Sequence, residues 1–331
     1  MTGWVTAGDG QLSATLLPVP AVGPDEVLVR VLACGVCRTD LHVVDGEIPP
    51  HRRMVVPGHQ VVGEVVGLGE RAQAFALGDR VGVAWLRSTC GWCRWCRSGR
   101  ENLCPHARFT GWDENGGYAE YLTVPQAFSY PLPADVEASE FAPLLCAGLI
   151  GFRALSRAAL PPGGTLGLYG FGSSAHITAQ VAKAAGATVF VMTRGDRNRA
   201  LARRLGVDFV GAEDEVPPRD LDAAIVFAPA GALVPHALLS TARGGTVVLA
   251  GIHMDQIPAM DYDTTLFYER DLRSVTANTR ADGETFLRLA RNLHLGPEVS
   301  HYPFERVPDA LADLRAGRVG GSLVVRVADG T

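Results

Sequence analysis

The chain has 331 residues, 47% of them apolar and 20% charged, with a formal net charge of −5. That length accommodates two domains with separate cores, and the composition excludes a disordered or fibrous chain. An acidic balance without runs of like charge excludes nucleic acid or an acidic membrane surface as the main partner, because phosphate recognition needs a clustered basic face.

Met1 to Gly10 carries neither the basic start nor the apolar stretch of a signal peptide. The later apolar runs are strand-length, so a cytoplasmic chain with no membrane span is expected. Up to Cys146, short apolar runs at Val27–Ala33, Val61–Leu68, Arg80–Val83 and Tyr118–Val124 are separated by Gly and Pro clusters. This is the pattern of an irregular antiparallel β-domain. Past Cys146 the character changes. A helix is expected over Ala147–Leu160, broken by Pro161-Pro162-Gly163-Gly164. There follow a strand Thr165–Tyr169, a Gly-rich turn, a helix Ala175–Ala185, a strand Thr188–Met192, a helix Arg197–Leu205 and strands Asp222–Phe227 and Thr246–Ala250. Such alternation predicts an α/β doubly wound parallel sheet. The end of the chain returns to mixed character and closes on a strand, Leu323–Val327. Domains are therefore expected at 1–146 and 147–283, with 284–331 returning to the first.

Seven cysteines in a reducing compartment are more often metal ligands than disulfides. Cys90, Cys93, Cys96 and Cys104 follow C-x2-C-x2-C-x7-C. Four thiolates this close in sequence close one tetrahedral zinc site, and with every position taken by protein its role is structural. Cys104-Pro105 suggests an iron–sulfur cluster instead, but that motif has three residues before the closing Cys where this chain has seven. Cys34, Cys37 and Cys146 remain. A catalytic zinc needs three protein ligands and one open position, and Cys37, His59 and Cys146 meet this only if the fold gathers them. Cys34 reads as a small buried core residue.

The run Gly170-Phe171-Gly172-Ser173-Ser174-Ala175 lies between an expected strand and an expected helix, the setting of the dinucleotide fingerprint. Gly170 permits the tight turn, Gly172 lets backbone approach a pyrophosphate, and small Ala175 lets helix pack on strand. The ribose-binding acid expected ~20 positions on is missing. The chain reads Met192-Thr193-Arg194-Gly195 there, and Asp196 comes late. Thr193 and Arg194, helped by Arg197 or Arg199, suit a 2′-phosphate, so NADP(H) is favoured; NAD(H) is the alternative if Arg194 stacks on adenine. Gly251, Ile252 and Asn278 complete the expected cofactor contacts.

The segment Cys37–His42, Gly58-His59, the four-Cys loop, Gly116-Gly117-Tyr118-Ala119-Glu120-Tyr121, Cys146-Ala147-Gly148 and the Gly-rich turn occur in this order. Together they resemble the zinc-dependent medium-chain alcohol dehydrogenases over essentially the whole chain, with Trp85-Leu86 closest to the shorter microbial and yeast-type members. The resemblance implies a GroES-like catalytic domain, a Rossmann domain and two Zn2+ per chain. It also implies hydride transfer between a small alcohol or aldehyde and a nicotinamide, and a homodimer or homotetramer with sheets paired near Thr246–Asp255. In its terms Cys37, His59 and Cys146 hold the catalytic zinc and Thr39 hydrogen-bonds the alcohol. His42 passes the proton onward through the nicotinamide ribose, Asp40 orients the ligand histidine and Arg38 meets the pyrophosphate.

Trp85 and Trp112, with Leu149 or Ile150, are expected to line the substrate cleft. Thr39 favours primary alcohols, and Val44, where yeast-type relatives carry Trp, opens room for medium-chain or aromatic ones. Two departures stand out. Gln60 replaces the family's Glu, which puts transient ligand exchange at the zinc in doubt. Gly320 or Gly321 stands where a cofactor-binding Arg is common, leaving Arg315 or Arg318 as substitutes.

Overall fold

A computed structural model describes residues 1–49 and 51–328. They form two compact units: Met1–Cys146 with Ala277–Glu284 and the chain from Pro297 onward, and Ala147–Thr276 with Thr285–Gly296.

The first unit is built on one long strand, Glu26–Val36, paired along its length with Gln60–Leu68 and on its other side with Tyr121–Pro125 at one end and Ser322–Arg326 at the other. The mixed seven-stranded sheet runs Val299–Pro303, Ser322–Arg326, Glu26–Val36, Gln60–Leu68, Arg80–Val83 and Ser129–Pro131, with Tyr121–Pro125 beside Glu26–Val36. Val27, Val29 and Val31 alternate onto one face and are buried with Val61, Val65, Val81 and Leu122. That period of two puts every second side chain in the core. The last strand before residue 126 begins at Tyr121, not Tyr118. The backbone of 116–118 pairs instead with the loop at 56–58, Gly117 N–H donating to Gly58 C=O and Tyr118 N–H to Pro57 C=O. This pairing is what brings Tyr118 to the site.

In the second unit six parallel strands follow the order Phe209–Gly211, Thr188–Met192, Thr165–Tyr169, Leu221–Val226, Thr241–Leu249, Asp271–Ser274. Leu166, Leu168, Val189, Val191, Ile225 and Val248 are all buried, as strands covered by helices on both faces must be. The order reverses between Thr165–Tyr169 and Leu221–Val226, the switch point beside which dinucleotides bind.

Three expectations are corrected here. The chain re-enters the first unit at Ala277 and leaves it again at Thr285, in place of a single return at 284. The cause is the helix Arg280–Asn292. Its first turn carries Arg280 on Glu101, and a Cβ on Gly283 would lie 2.4 Å from Tyr130 ring atoms. Further along, Phe286 is buried against Phe152. Second, Thr246–Leu249 cannot serve as a pairing edge, because Asp271–Ser274 already occupies its outer side. Third, the later apolar runs are not all strand-length: Ala138–Ala158 is long and apolar enough to cross a membrane by length and composition. It is mostly buried, and it is broken into Ala138–Phe141, a 3-10 turn Ala142–Leu145 and the helix Ala147–Ala158.

Candidate active site

Immediately after the long strand, Cys37 caps the short helix Arg38–Val44, and the side chain of Asp40 returns to accept the Cys37 N–H at 2.9 Å. Asp40 is 1% exposed and serves as a hub. Its Oδ1 faces His59 Nδ1 at 3.0 Å and accepts the Gly58 N–H at 3.2 Å, while its Oδ2 also accepts the Tyr118 hydroxyl at 2.9 Å. A buried carboxylate is costly unless each lone pair is used. Here four donors on three chain segments use them.

The other ring nitrogen of His59 points at two sulfurs, 3.4 Å from Cys37 Sγ and 3.3 Å from Cys146 Sγ. Tetrahedral zinc with ordinary Zn–S and Zn–N bonds separates N and S by about 3.6 Å, so the donors fit that ion. The Cys146 thiol and burial push the Cys37 thiol well above its ordinary range. Burial works against a charged His59 ring, yet Cys37 and Asp40 outweigh it and push the ring up to about 10. A cation bound among these donors would displace their protons.

Gly58 makes the turn into His59 at φ +92°, where a Cβ would come 2.8 Å from the Tyr118 ring and 2.9 Å from Cys34 Sγ. Gly58→Ala is therefore expected to cost about 2–4 kcal/mol of stability, combining left-handed strain with overpacking, as measured by urea denaturation of the zinc-loaded protein. Cys34 is itself fully buried.

Thr39 and His42 lie three residues apart on Arg38–Val44, hence on one face. His42 Nδ1 is hydrogen-bonded to Glu47, a carboxylate just past the helix whose side chain is 48% exposed. Sequence reasoning missed both Glu47 and Tyr118. Gln60 is buried with its amide lying over Gly35.

Trp85 meets the His59 ring edge-on at 4.8 Å and stacks on Phe109 and Trp112, while Trp112 stacks on His51 at 4.1 Å. Val43 and Val55 pack with Trp85. Val44 does not: helix phase turns it into the core of the sheet, so its size is a packing matter. Leu149 is likewise a buried core residue of the second unit.

The four other sulfurs also converge. Cys90 lies 3.9 Å from Cys96 and 3.6 Å from Cys104, and Cys93 lies 3.5 Å from Cys96. Tetrahedral zinc thiolates stand about 3.8 Å apart. Backbone N–H groups of Cys93, Cys90 and His106 point at the sulfurs of Cys90 and Cys104, as donors to thiolates do. Against its burial, the N–H groups of Cys93 and Trp92 bring the Cys90 thiol down to about 6.

In the second unit, Gly170 turns at φ +85° with Ala228 N only 2.9 Å from where a Cβ would sit. Gly172 caps the helix Ser173–Ala184, and Ala175 is buried. Phe171 is a core side chain, so it offers a ligand only backbone. Ser173 and Ser174 form the helix's first turn. Thr193 is buried, Arg194 pairs with Glu213, and Arg199 with Asp196. Gly251 and Ile252 follow the strand Thr241–Leu249, and Ile252 is exposed. Asn278 belongs to the first unit and gives its amide to Tyr130 and to the Thr279 carbonyl. Arg38 opens the helix Arg38–Val44. The C-terminal substitutes are engaged elsewhere: Arg315 grips Asp45, and Arg318 pairs with Asp313.

Two family models match this chain, the alcohol dehydrogenase GroES-like domain over residues 23–134 and the zinc-binding dehydrogenase over 175–292. The probable alcohol dehydrogenase AdhA of Mycobacterium tuberculosis is 54% identical over 323 residues, covering 96% of this chain and 93% of that one. The chain belongs to the zinc-dependent medium-chain alcohol dehydrogenases. Among solved structures, a cinnamyl alcohol dehydrogenase of Sorghum bicolor superposes with a TM-score of 0.90 at 29% identity, covering 100% of this chain and 98% of that one. An acetophenone reductase of Geotrichum candidum in complex with NAD gives 0.90 at 27%, covering 98% and 97%. The enzyme is thus an oxidoreductase that acts on small molecules with zinc and a nicotinamide cofactor.

Proposed function

We propose that this dehydrogenase interconverts primary alcohols, medium-chain and aromatic ones among them, and aldehydes. NADP(H) is favoured over NAD(H), and two zinc ions are held per chain. The observation that carries this reading is the trio Cys37, His59 and Cys146, with Asp40 behind the histidine. Zinc held by Cys37, His59 and Cys146 would supply Lewis acidity that eases loss of the alcohol proton, and a bound nicotinamide would supply the hydride acceptor.

The protein's own residues do the rest. Asp40 fixes the His59 ring so that Nε2 faces the sulfurs. Thr39 accepts a hydrogen bond from the alcohol hydroxyl, and His42, on the same helix face, takes the released proton onward. Glu47, bonded to His42 and half in solvent, gives that proton an exit. Glu47→Gln is expected to lower kcat roughly tenfold, less than the effect of removing a direct acid–base group, with zinc content unchanged. A kcat and pH profile identical to wild type would count against the exit. Trp85 and Trp112 supply a flat wall that suits an aromatic ring.

The chain is read as a cytoplasmic homodimer or homotetramer. Exposed Tyr262 and Phe267 on the second unit support association, with Asp271–Ser274 as the open sheet edge. Zinc content, together with turnover of an alcohol and aldehyde series from ethanol to cinnamyl alcohol with each cofactor, tests the whole reading. Failure with every alcohol longer than ethanol refutes the substrate class, and a large NAD(H) preference refutes the cofactor choice.

A further inference from the structure

The strand Thr188–Met192 ends among charges that the motif alone did not bring together. Met192 pairs in register with Gly211 on the neighbouring strand. Arg194 and Glu213 therefore stand at matching positions, each two residues past that pair. Arg194 Nε lies 3.0 Å from Glu213 Oε2, with the side chains 73% and 34% exposed. Two further acids, Asp214 and Glu215, follow Glu213. Glu215 turns back on its own loop and accepts the Ala212 N–H at 2.8 Å, whereas Asp214 is exposed. On the other flank Arg199 donates to the Thr193 carbonyl and pairs with Asp196 at 2.9 Å, and Arg197 is exposed beside them.

We propose that Glu213 is a specificity-determining residue for the cofactor, holding Arg194 in an ion pair that a 2′-phosphate must displace. The inference rests on the reading of Thr193 and Arg194 as the adenosine-ribose end of the nicotinamide site. The acid absent from the end of Thr188–Met192 is supplied from the turn that follows the adjoining strand Phe209–Gly211. A 2′-phosphate, close to doubly charged at neutral pH, meets the repulsion of Glu213 and gains Arg194 only by breaking its pair. An unphosphorylated ribose meets neither demand. Glu213 thus narrows a preference for NADP(H) that the arginines would otherwise make large, and leaves NAD(H) usable.

The test is calorimetric titration of the purified enzyme with 2′,5′-ADP and 5′-AMP, which differ only in the 2′-phosphate. Glu213→Gln is expected to tighten 2′,5′-ADP about three- to fivefold, the upper scale of an exposed charge interaction, and to leave 5′-AMP within about twofold. Glu213→Lys should extend the same trend, and added salt should shrink it. If Arg194→Ala weakens 2′,5′-ADP while both Glu213 variants leave the ratio unchanged, the role of Glu213 is refuted and the ribose-end reading stands. If Arg194→Ala also has no effect on 2′,5′-ADP, Arg194 does not meet the phosphate and both fall.

Discussion

Replacing His59 by alanine is expected to lower kcat/KM by about 10^4-fold, about 5 kcal/mol of barrier, and to release one zinc equivalent per chain. The substitution takes the only nitrogen from a three-donor site and leaves two sulfurs, Cys37 and Cys146, to hold the ion. It also strips Asp40 of a partner in a place where solvent cannot replace it, leaving Oδ1 with the Gly58 N–H. The fold should survive, because the core of the first unit is mainly aliphatic and does not include His59. Metal content and circular dichroism on the same sample decide the matter: a variant with full metal and near-native rate would contradict the assignment. Asp40→Asn serves as a milder companion, expected to weaken the metal about 10- to 100-fold, as removal of such a supporting carboxylate does.

The second large effect is one of stability. Cys96→Ser is expected to lower the thermal midpoint by about 10 °C, from a loss of about 3 kcal/mol at a few degrees per kcal/mol. The lobe that carries the four sulfurs has little else to hold it. It contains a four-residue helix, Arg94–Arg97, a 3-10 turn, Glu101–Leu103, and the short pair of Leu86–Ser88 with Arg108–Phe109. Trp92 is exposed, and Trp95 is covered mainly by the guanidinium groups of Arg94 and Arg100. With so small an apolar core, a metal held by the four sulfurs would supply much of the folding energy. Trypsin should then cleave first at the exposed Arg94, Arg97 or Arg100, and kcat/KM should fall far less than in the His59 variant. Unchanged stability and protease resistance would show that the lobe holds itself without metal.

What can be read without a structure is what neighbouring residues decide together. The four-Cys lobe falls within fifteen positions, so its spacing alone implies one ion, and the loops between the ligands are short enough to close whatever the rest of the chain does. The nucleotide unit is legible for a similar reason. Buried strands such as Thr165–Tyr169 and Thr188–Met192 are continuous apolar runs, and the turn at Gly170 needs a residue that accepts a positive φ.

The remaining features depend on contacts between distant segments. His59 is 22 residues from Cys37 and 87 from Cys146, and Tyr118 is 78 from Asp40. Nothing local dictates such meetings. They follow from the pairing of 116–118 with 56–58 and from the register along Glu26–Val36. Resemblance to known enzymes could name the zinc trio, but the fourth donor on Asp40 needed the fold. Glu47 became visible only once the chain after the helix turned it onto His42, and helix phase decided that Val43, not Val44, packs with Trp85. Glu213 met Arg194 because the two strands end in register at Met192 and Gly211, two residues before each partner. The candidate ligands thus lay in the sequence, while the side chains that surround and orient them were decided by strand register and loop pairing, whose contacts span tens of residues and leave no local pattern.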